Sequence, residues 1–262
     1  MKKIGFIGAG NMGGALARAV AKADTEIYVT DITNEKAAAL AAEIGGYVAD
    51  AERIAEVCDF IFIAVKPNTV ASVLSGISDR IKESGAVLIS MAAGVSIEKL
   101  EAAAGGAPII RIMPNTPAAI GCGMILWCAN DGVGEERIAD FLVFMAAAGE
   151  LDRLDERLID AGSALSGCGP AFVYMFIEAL ADGAVKCGLP RDKAMKYAAE
   201  TLIGGARMVK ETGIHPGALK DAVCSPGGST IEGVKALEDG AMRATVIDAV
   251  SAAFARTKEL GK

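Results

Sequence analysis

A glycine run set between a strand and a helix near the amino terminus constrains this chain more than any other feature. Lys3 to Ile7 reads as a short apolar strand, and it passes directly into Gly8-Ala9-Gly10-Asn11-Met12-Gly13 and a helical stretch, Gly13 to Lys22. Glycines at this spacing suit a dinucleotide. Gly8 makes the tight turn, Gly10 lets backbone approach a pyrophosphate, and Gly13 permits close packing of helix on strand. The phosphates would then rest on the free amides at the helix N-terminus. The motif alone would say little, but here strand, glycines, helix and second strand come in the required order.

The alternation continues along the first half. Glu26 to Thr30, Phe60 to Val65, Ala86 to Ser90, Ile109 to Met113 and Met124 to Cys128 read as strands, with a short extra strand near Tyr47 to Ala49. Asn34 to Glu43, Asn68 to Ile81 and Ser96 to Ala103 read as the helices between them. That pattern builds a parallel-rich, doubly wound sheet with helices on both faces. A hydrophobic content of 52% with only 5% aromatics demands a core of small aliphatic side chains, which suits strands buried on both faces.

After about Gly149 the strands cease. Arg157 to Ser166, Pro170 to Cys187, Asp192 to Thr212, Gly217 to Val223, Ser229 to Asp239 and Met242 to Leu260 read as helices. Gly188-Leu189-Pro190, His215-Pro216-Gly217 and Pro226-Gly227-Gly228 punctuate them. The polar segment Gly149 to Asp155 is the expected crossing. The reading is therefore an α/β Rossmann domain over residues 1–152 followed by an all-α domain over 153–262. Pro170 to Leu180, PAFVYMFIEAL, is apolar nearly all round, and a domain of roughly a hundred residues does not easily enclose such a helix. A homo-oligomer in which a second chain supplies the cover is expected.

The net charge of −7 argues against nucleic acid or an anionic membrane as a main partner. No run of about 18 apolar residues is apparent, so no membrane span is expected. The six cysteines form no CxxC pair and no metal-ligand spacing, which points to reduced thiols in the cytoplasm and to no metal site.

Several further features fall at carboxyl ends of the expected strands, the edge where such sheets bind ligands. Asp31 stands where an acidic residue receives ribose hydroxyls, and its charge would repel a 2′-phosphate. Thr30, Thr33, Asn34 and Lys36 beside it could instead hold that phosphate, so both NADH and NADPH remain open as cofactor. Ala64-Val65-Lys66-Pro67, Ser90-Met91-Ala92-Ala93-Gly94 and Met113-Pro114-Asn115-Thr116-Pro117 supply small or polar loops on the same edge, as a rim facing nicotinamide requires. The helical half carries no Ser-His-Asp set and no paired-carboxylate motif. Its lone histidine, His215, precedes a proline in a turn and reads as structural. Ser225-Pro226-Gly227-Gly228-Ser229-Thr230-Ile231 opens a helix with two glycines and a hydroxyl, which is either a cradle for a carboxylate or phosphate or an ordinary capped start.

Together these blocks resemble the pyrroline-5-carboxylate reductase family. The resemblance runs the whole length: Phe6-Ile7-Gly8-Ala9-Gly10-Asn11-Met12, Ala64-Val65-Lys66-Pro67, Met113-Pro114-Asn115-Thr116-Pro117, Leu165-Ser166-Gly167-Cys168-Gly169-Pro170-Ala171 and Gly188-Leu189-Pro190-Arg191. The most specific block runs from His215-Pro216-Gly217 through Leu219-Lys220-Asp221 to Ser225–Ile231. The resemblance implies NAD(P)H-dependent reduction of 1-pyrroline-5-carboxylate to L-proline, the last step of proline biosynthesis. It also implies a dimer with interlocked C-terminal helices, often assembled further into a decamer. On matching positions it implies that Gly228, Ser229 and Thr230 hold the substrate carboxylate and ring nitrogen. Ser166, Gly167 and Cys168 would wall the pocket, while Asn115 and Lys66 would border the nicotinamide. Cys168 departs from the serine more common there, so a hydroxyl contact at that position is not carried over.

Such chemistry needs little catalytic apparatus. A cyclic imine is protonated in solution or on binding, and its iminium carbon already accepts hydride readily. Positioning and charge balance are then the protein's main contribution, with Thr230 bonding the ring nitrogen as it becomes an amine. A hydroxyacid dehydrogenase of similar shape would need a Lys-x-x-x-Asn helix after the crossing, and none is evident. A non-catalytic dinucleotide sensor would have no use for the Ser225–Thr230 block.

Overall fold

The computed structural model describes residues 1–260. Its sheet has eight strands in the order β3-β2-β1-β4-β5-β6-β7-β8. They are β1 (Lys2–Ile7), β2 (Thr25–Thr30), β3 (Tyr47–Val48), β4 (Phe60–Ile63), β5 (Val87–Ser90), β6 (Ile109–Met113), β7 (Gly123–Ala129) and β8 (Gly149–Arg153). All neighbours pair parallel except β6 with β7. The expected parallel-rich sheet is present, and its strand order reverses between β1 and β4. A crevice opens outside the strand ends at such a switch point.

The sheet is buried on both faces, which is why β4 reads FIFI with no polar alternation. Helices α1 (Asn11–Val20), α2 (Asn34–Ile44) and α6 (Glu135–Met145) cover one face, with Phe141 and Phe144 of α6 sharing a buried core with Phe6 and Phe62 of the sheet. Phe6 and Phe62 stack at 4.4 Å between ring centroids, with Phe144 edge-on to Phe62. Helices α3 (Ala51–Val57), α4 (Val70–Ser84) and α5 (Ile97–Ala104) cover the other face over Ile61, Ile63, Leu88 and Ile109. Each such fully buried side chain contributes about 1.5–3 kcal/mol.

Four elements differ from the sequence reading. The segment Gly149 to Asp155 is no free crossing: it supplies the edge strand β8, in register with β7 from Gly123↔Gly149 to Trp127↔Arg153. Gly149 has φ +140, and a Cβ there would lie 2.1 Å from the Gly123 carbonyl oxygen, so only glycine starts this strand. Helices α3 and α6 were not anticipated either. β4 also ends at Ile63, which leaves Ala64 and Val65 to the loop.

Helix α7 (Glu156–Ser166) lies on the sheet with Ile159 buried against it. Arg111 of β6, 3% exposed, fastens α7 by donating to Glu156 at 3.1 Å and Asp160 at 2.8 Å. Glu156 also accepts from the Ile97 amide at 2.7 Å, joining the start of α5 to the same cluster. By contacts the chain forms one unit from Met1–Cys168 with the stretch from Ala253, and a second from Gly169–Ala252. Helix α7 thus packs with the sheet although it begins the helical half.

The second unit holds α8 (Gly169–Lys186), α9 (Arg191–Thr212), α10 (Pro216–Ala222), α11 (Ser229–Asp239) and most of α12 (Met242–Leu260). Its buried cluster is small, Ala181, Ala194 and Ala198, where α8 meets α9. Val173, Tyr174, Met175 and Leu180 of α8 stand exposed in the single chain. This face also corrects the expectation about membrane spans. Glu156–Lys186, α7 running into α8, is long and apolar enough to cross a bilayer by length and composition. Glu156 and Asp160 in that stretch are committed to Arg111 of the sheet, which ties its first turns to a globular core.

Candidate active site

The glycine loop follows from local geometry. Gly8 has φ +110 and donates to the Thr30 carbonyl at 2.8 Å. A Cβ on Gly8 would sit 2.4 Å from the Ala64 carbonyl, and one on Gly13 2.5 Å from the Gly8 carbonyl. These two glycines are thus demanded by packing against the end of β4. Gly10 differs, because a Cβ there would meet nothing within 4 Å. Its bare backbone faces open space, as approach by a pyrophosphate requires. Gly10 is also the N-cap of α1, with no side-chain cap and no acidic residue in the first turn. The amides of Asn11, Met12 and Gly13 are therefore left for an anion.

Beside this loop a cleft of about 670 Å³ opens over the ends of β1, β2 and β4. It brings together Gly8, Gly10, Asp31, Val65 and Lys66 from the sequence reading, with Thr30, Thr33 and Lys36. These residues fit a dinucleotide: glycine backbone for phosphate, a β2 end for ribose, and an apolar wall for a base. That wall, Ile32 with Val73, Gly76 and Ile77 of α4, was missed by sequence reasoning. A glycine inside a helix, flanked by apolar residues at helical spacing, was the available signal. Pro67 lines an adjoining cleft of about 790 Å³ with Lys66, Ala93 and Gly94.

Asp31 is tied down by backbone. One carboxylate oxygen accepts from the Ala9 amide at 2.7 Å and the other from the Thr33 amide at 2.8 Å.

Asn115 and Ser166 meet elsewhere in the first unit. Asn115, 8% exposed at the end of β6, accepts from the Met124 amide and donates to the Ser166 carbonyl, both at 2.9 Å. The Ser166 hydroxyl donates to the Gly162 carbonyl at 3.0 Å. Gly167 and Cys168 follow at the C-terminus of α7, where both amides return to the Ser163 carbonyl.

The Ser225–Thr230 block lies in the second unit. Ser225-Pro226-Gly227-Gly228 closes a turn through the Gly228 amide and Ser225 carbonyl at 3.0 Å, with Gly227 at φ +67. Proline second and a positive-φ glycine third are what a type II turn demands. Gly228 is then the N-cap of α11, without a side-chain cap. The amides of Ser229 and Thr230 have no partner within the helix, and both side chains are exposed. His215 has the structural role expected of it, capping α10 by accepting from the Gly217 amide at 3.1 Å.

Comparison with known proteins places this geometry in a family. Residues 156–260 match the family model for pyrroline-5-carboxylate reductase dimerisation, and residues 3–94 match one described as NADP oxidoreductase, coenzyme F420-dependent. The pyrroline-5-carboxylate reductase of Escherichia coli is 45% identical, with 100% of this chain and 99% of that protein covered. The enzyme of Arabidopsis thaliana is 39% identical over 99% and 96%. A crystal structure of the Plasmodium falciparum enzyme with NADP bound superposes with TM-score 0.87 at 35% identity, covering 100% of this chain and 98% of that one.

Proposed function

This chain belongs to the pyrroline-5-carboxylate reductase family, and we propose a division of labour among its residues in reducing 1-pyrroline-5-carboxylate to L-proline with NADPH or NADH. The observation that carries the reading is the full-length likeness, joined to a glycine loop whose Gly10 leaves backbone open to a phosphate.

The bound nicotinamide supplies the hydride that the imine carbon takes up. The amides of Asn11, Met12 and Gly13 hold pyrophosphate, and Asp31, Val65, Lys66 and Pro67 shape the cleft along it. Asn115 fixes the Ser166 carbonyl, and Ser166, Gly167 and Cys168 wall the substrate. The open amides following Gly228, those of Ser229 and Thr230, receive the substrate carboxylate, where the dipole of α11 favours an anion. The Thr230 hydroxyl bonds the ring nitrogen, whose proton comes from solvent and stays on the product amine. No side chain has to act as a strong acid, because the iminium is formed before hydride arrives.

The active form in this reading is a dimer whose second chain covers α8, and the family resemblance extends it to a pentamer of dimers. The dimerisation match over 156–260 and the exposed side chains of α8 support the dimer. The six free thiols favour the cytoplasm, and the charge of −7 disfavours nucleic acid or an anionic membrane as partner.

Two variants test the role of Thr230. Thr230→Ala removes a hydrogen bond to a charged group, which costs about 1.5–3 kcal/mol, and should lower kcat/KM for the imine roughly ten- to hundredfold. Thr230→Ser keeps the hydroxyl and should be milder, with cofactor KM unchanged in both. Wild-type efficiency in Thr230→Ala would leave the amides alone as the cradle.

A further inference from the structure

Within the cofactor reading, on which this inference rests, an acidic residue at the end of the second strand is assigned to the adenosine ribose and to rejection of a 2′-phosphate. The hydrogen bonds of Asp31 suggest a different task. Its Oδ1 accepts from Thr33 two residues on, closing an Asx-type turn that sets the entry to α2. Its Oδ2 accepts from Ala9, twenty-two residues earlier and between the two glycines of the phosphate loop. The same loop is held next door by Gly8 donating to Thr30, and on its far side by close packing of Gly8 on Ala64.

The Ala9 amide adjoins Gly10 in the chain, so its bond to Asp31 holds the backbone on which Gly10 sits. With Asp31 in place, the loop is pinned with Gly10 facing open space and α1 begun at Asn11. Two amide dipoles also point at the carboxylate and offset its charge. A phosphate in the cleft therefore meets a partly compensated anion, with the exposed Lys36 on the same wall. We infer that Asp31 is a positioning residue, which orders the phosphate loop for NADH and NADPH alike, and does not discriminate between them.

Direct binding separates the two roles. Dissociation constants of NADH and NADPH would be measured by fluorescence for the wild type, Asp31→Ala and Asp31→Asn, with melting temperatures and steady-state kinetics on each. Asp31→Asn retains one acceptor, so it remains informative if the alanine variant folds poorly. The expected result is that both constants rise together, on the order of tenfold in Asp31→Ala, with their ratio within about twofold of wild type. At saturating cofactor kcat should fall by less than the dissociation constants rise, a split that plain loss of stability would not produce. Weaker NADH binding with tighter NADPH binding would overturn the inference and restore the ribose role. Unchanged constants for both would overturn it as well. A wild type that binds neither dinucleotide would instead sink the cofactor reading beneath it.

Discussion

Asn115 and Ser166 are joined by a 2.9 Å hydrogen bond that links the end of β6 to the last turn of α7. The other end of the same carboxamide is occupied by the Met124 amide, so this nearly buried side chain is spent on the protein. The sequence reading set Asn115 at the nicotinamide and Ser166 at the substrate wall as separate contributors. In the proposed site, their bond would make the substrate wall depend on the end of β6.

Asn115→Ala should therefore act on the substrate. It strands the Ser166 carbonyl and the Met124 amide, at a cost of about 1–3 kcal/mol. KM for the imine should rise, while the dissociation constant of NADPH should stay near wild type. Steady-state kinetics paired with fluorescence titration would check this. A selective loss of cofactor affinity would return Asn115 to the nicotinamide.

Met175 offers a clean test of assembly. It is 70% exposed in the single chain, so Met175→Glu should not harm the fold of one subunit. Covered by a second chain, the same carboxylate would lose its water without a partner, which is costly. The variant should dissociate at concentrations where the wild type is dimeric, with a dissociation constant raised on the order of a hundredfold. Light scattering across a dilution series would show it. An unchanged mass would mean that α8 lies outside the interface.

Alkaline pH should expose the buried thiols. Burial pushes Cys58 up from 9.0 to about 12 and Cys128 up to about 11. Above pH 9 the unfolded chain releases these protons while the folded chain keeps them, so stability falls as pH rises. Cys58 alone should cost about 1.4 kcal/mol per pH unit in that window. Urea midpoints measured from pH 8 to 10.5 should fall more steeply for wild type than for Cys58→Ala. Equal slopes would mean that Cys58 ionises normally in the folded state.

The doubly wound half was legible because its signals are local. β6 was read to the residue, Ile109 to Met113, since an apolar run between turn residues has few other uses. The glycine loop was legible for the same reason, Gly8 and Gly13 each answering to a contact that a Cβ would violate and Gly10 leaving its backbone open. β8 was not, because an edge strand with one solvated face reads GELDR and resembles a loop. Its sign was the glycine pair Gly123 and Gly149, whose backbones pass too closely for side chains. Helix α6 could have been found: Ile138, Phe141, Phe144 and Met145 recur at helical spacing behind Gly134. Arg111 could not, since nothing in an apolar strand says that its one cation will meet Glu156 and Asp160 some 45 and 49 residues later. Asp31 was identified, but its bonds to Ala9 and Thr33 belong to the folded loop alone.

The central claim is that this chain moves hydride from a nicotinamide cofactor to a cyclic imine. Oxidation of NADPH and of NADH followed at 340 nm, with pyrroline-5-carboxylate, with a pyruvate-like keto acid and with no substrate, tests it most directly. The account predicts turnover with the imine only, and one equivalent of L-proline for each cofactor oxidised. No turnover on the imine with either cofactor, or equal turnover on the keto acid, would contradict it.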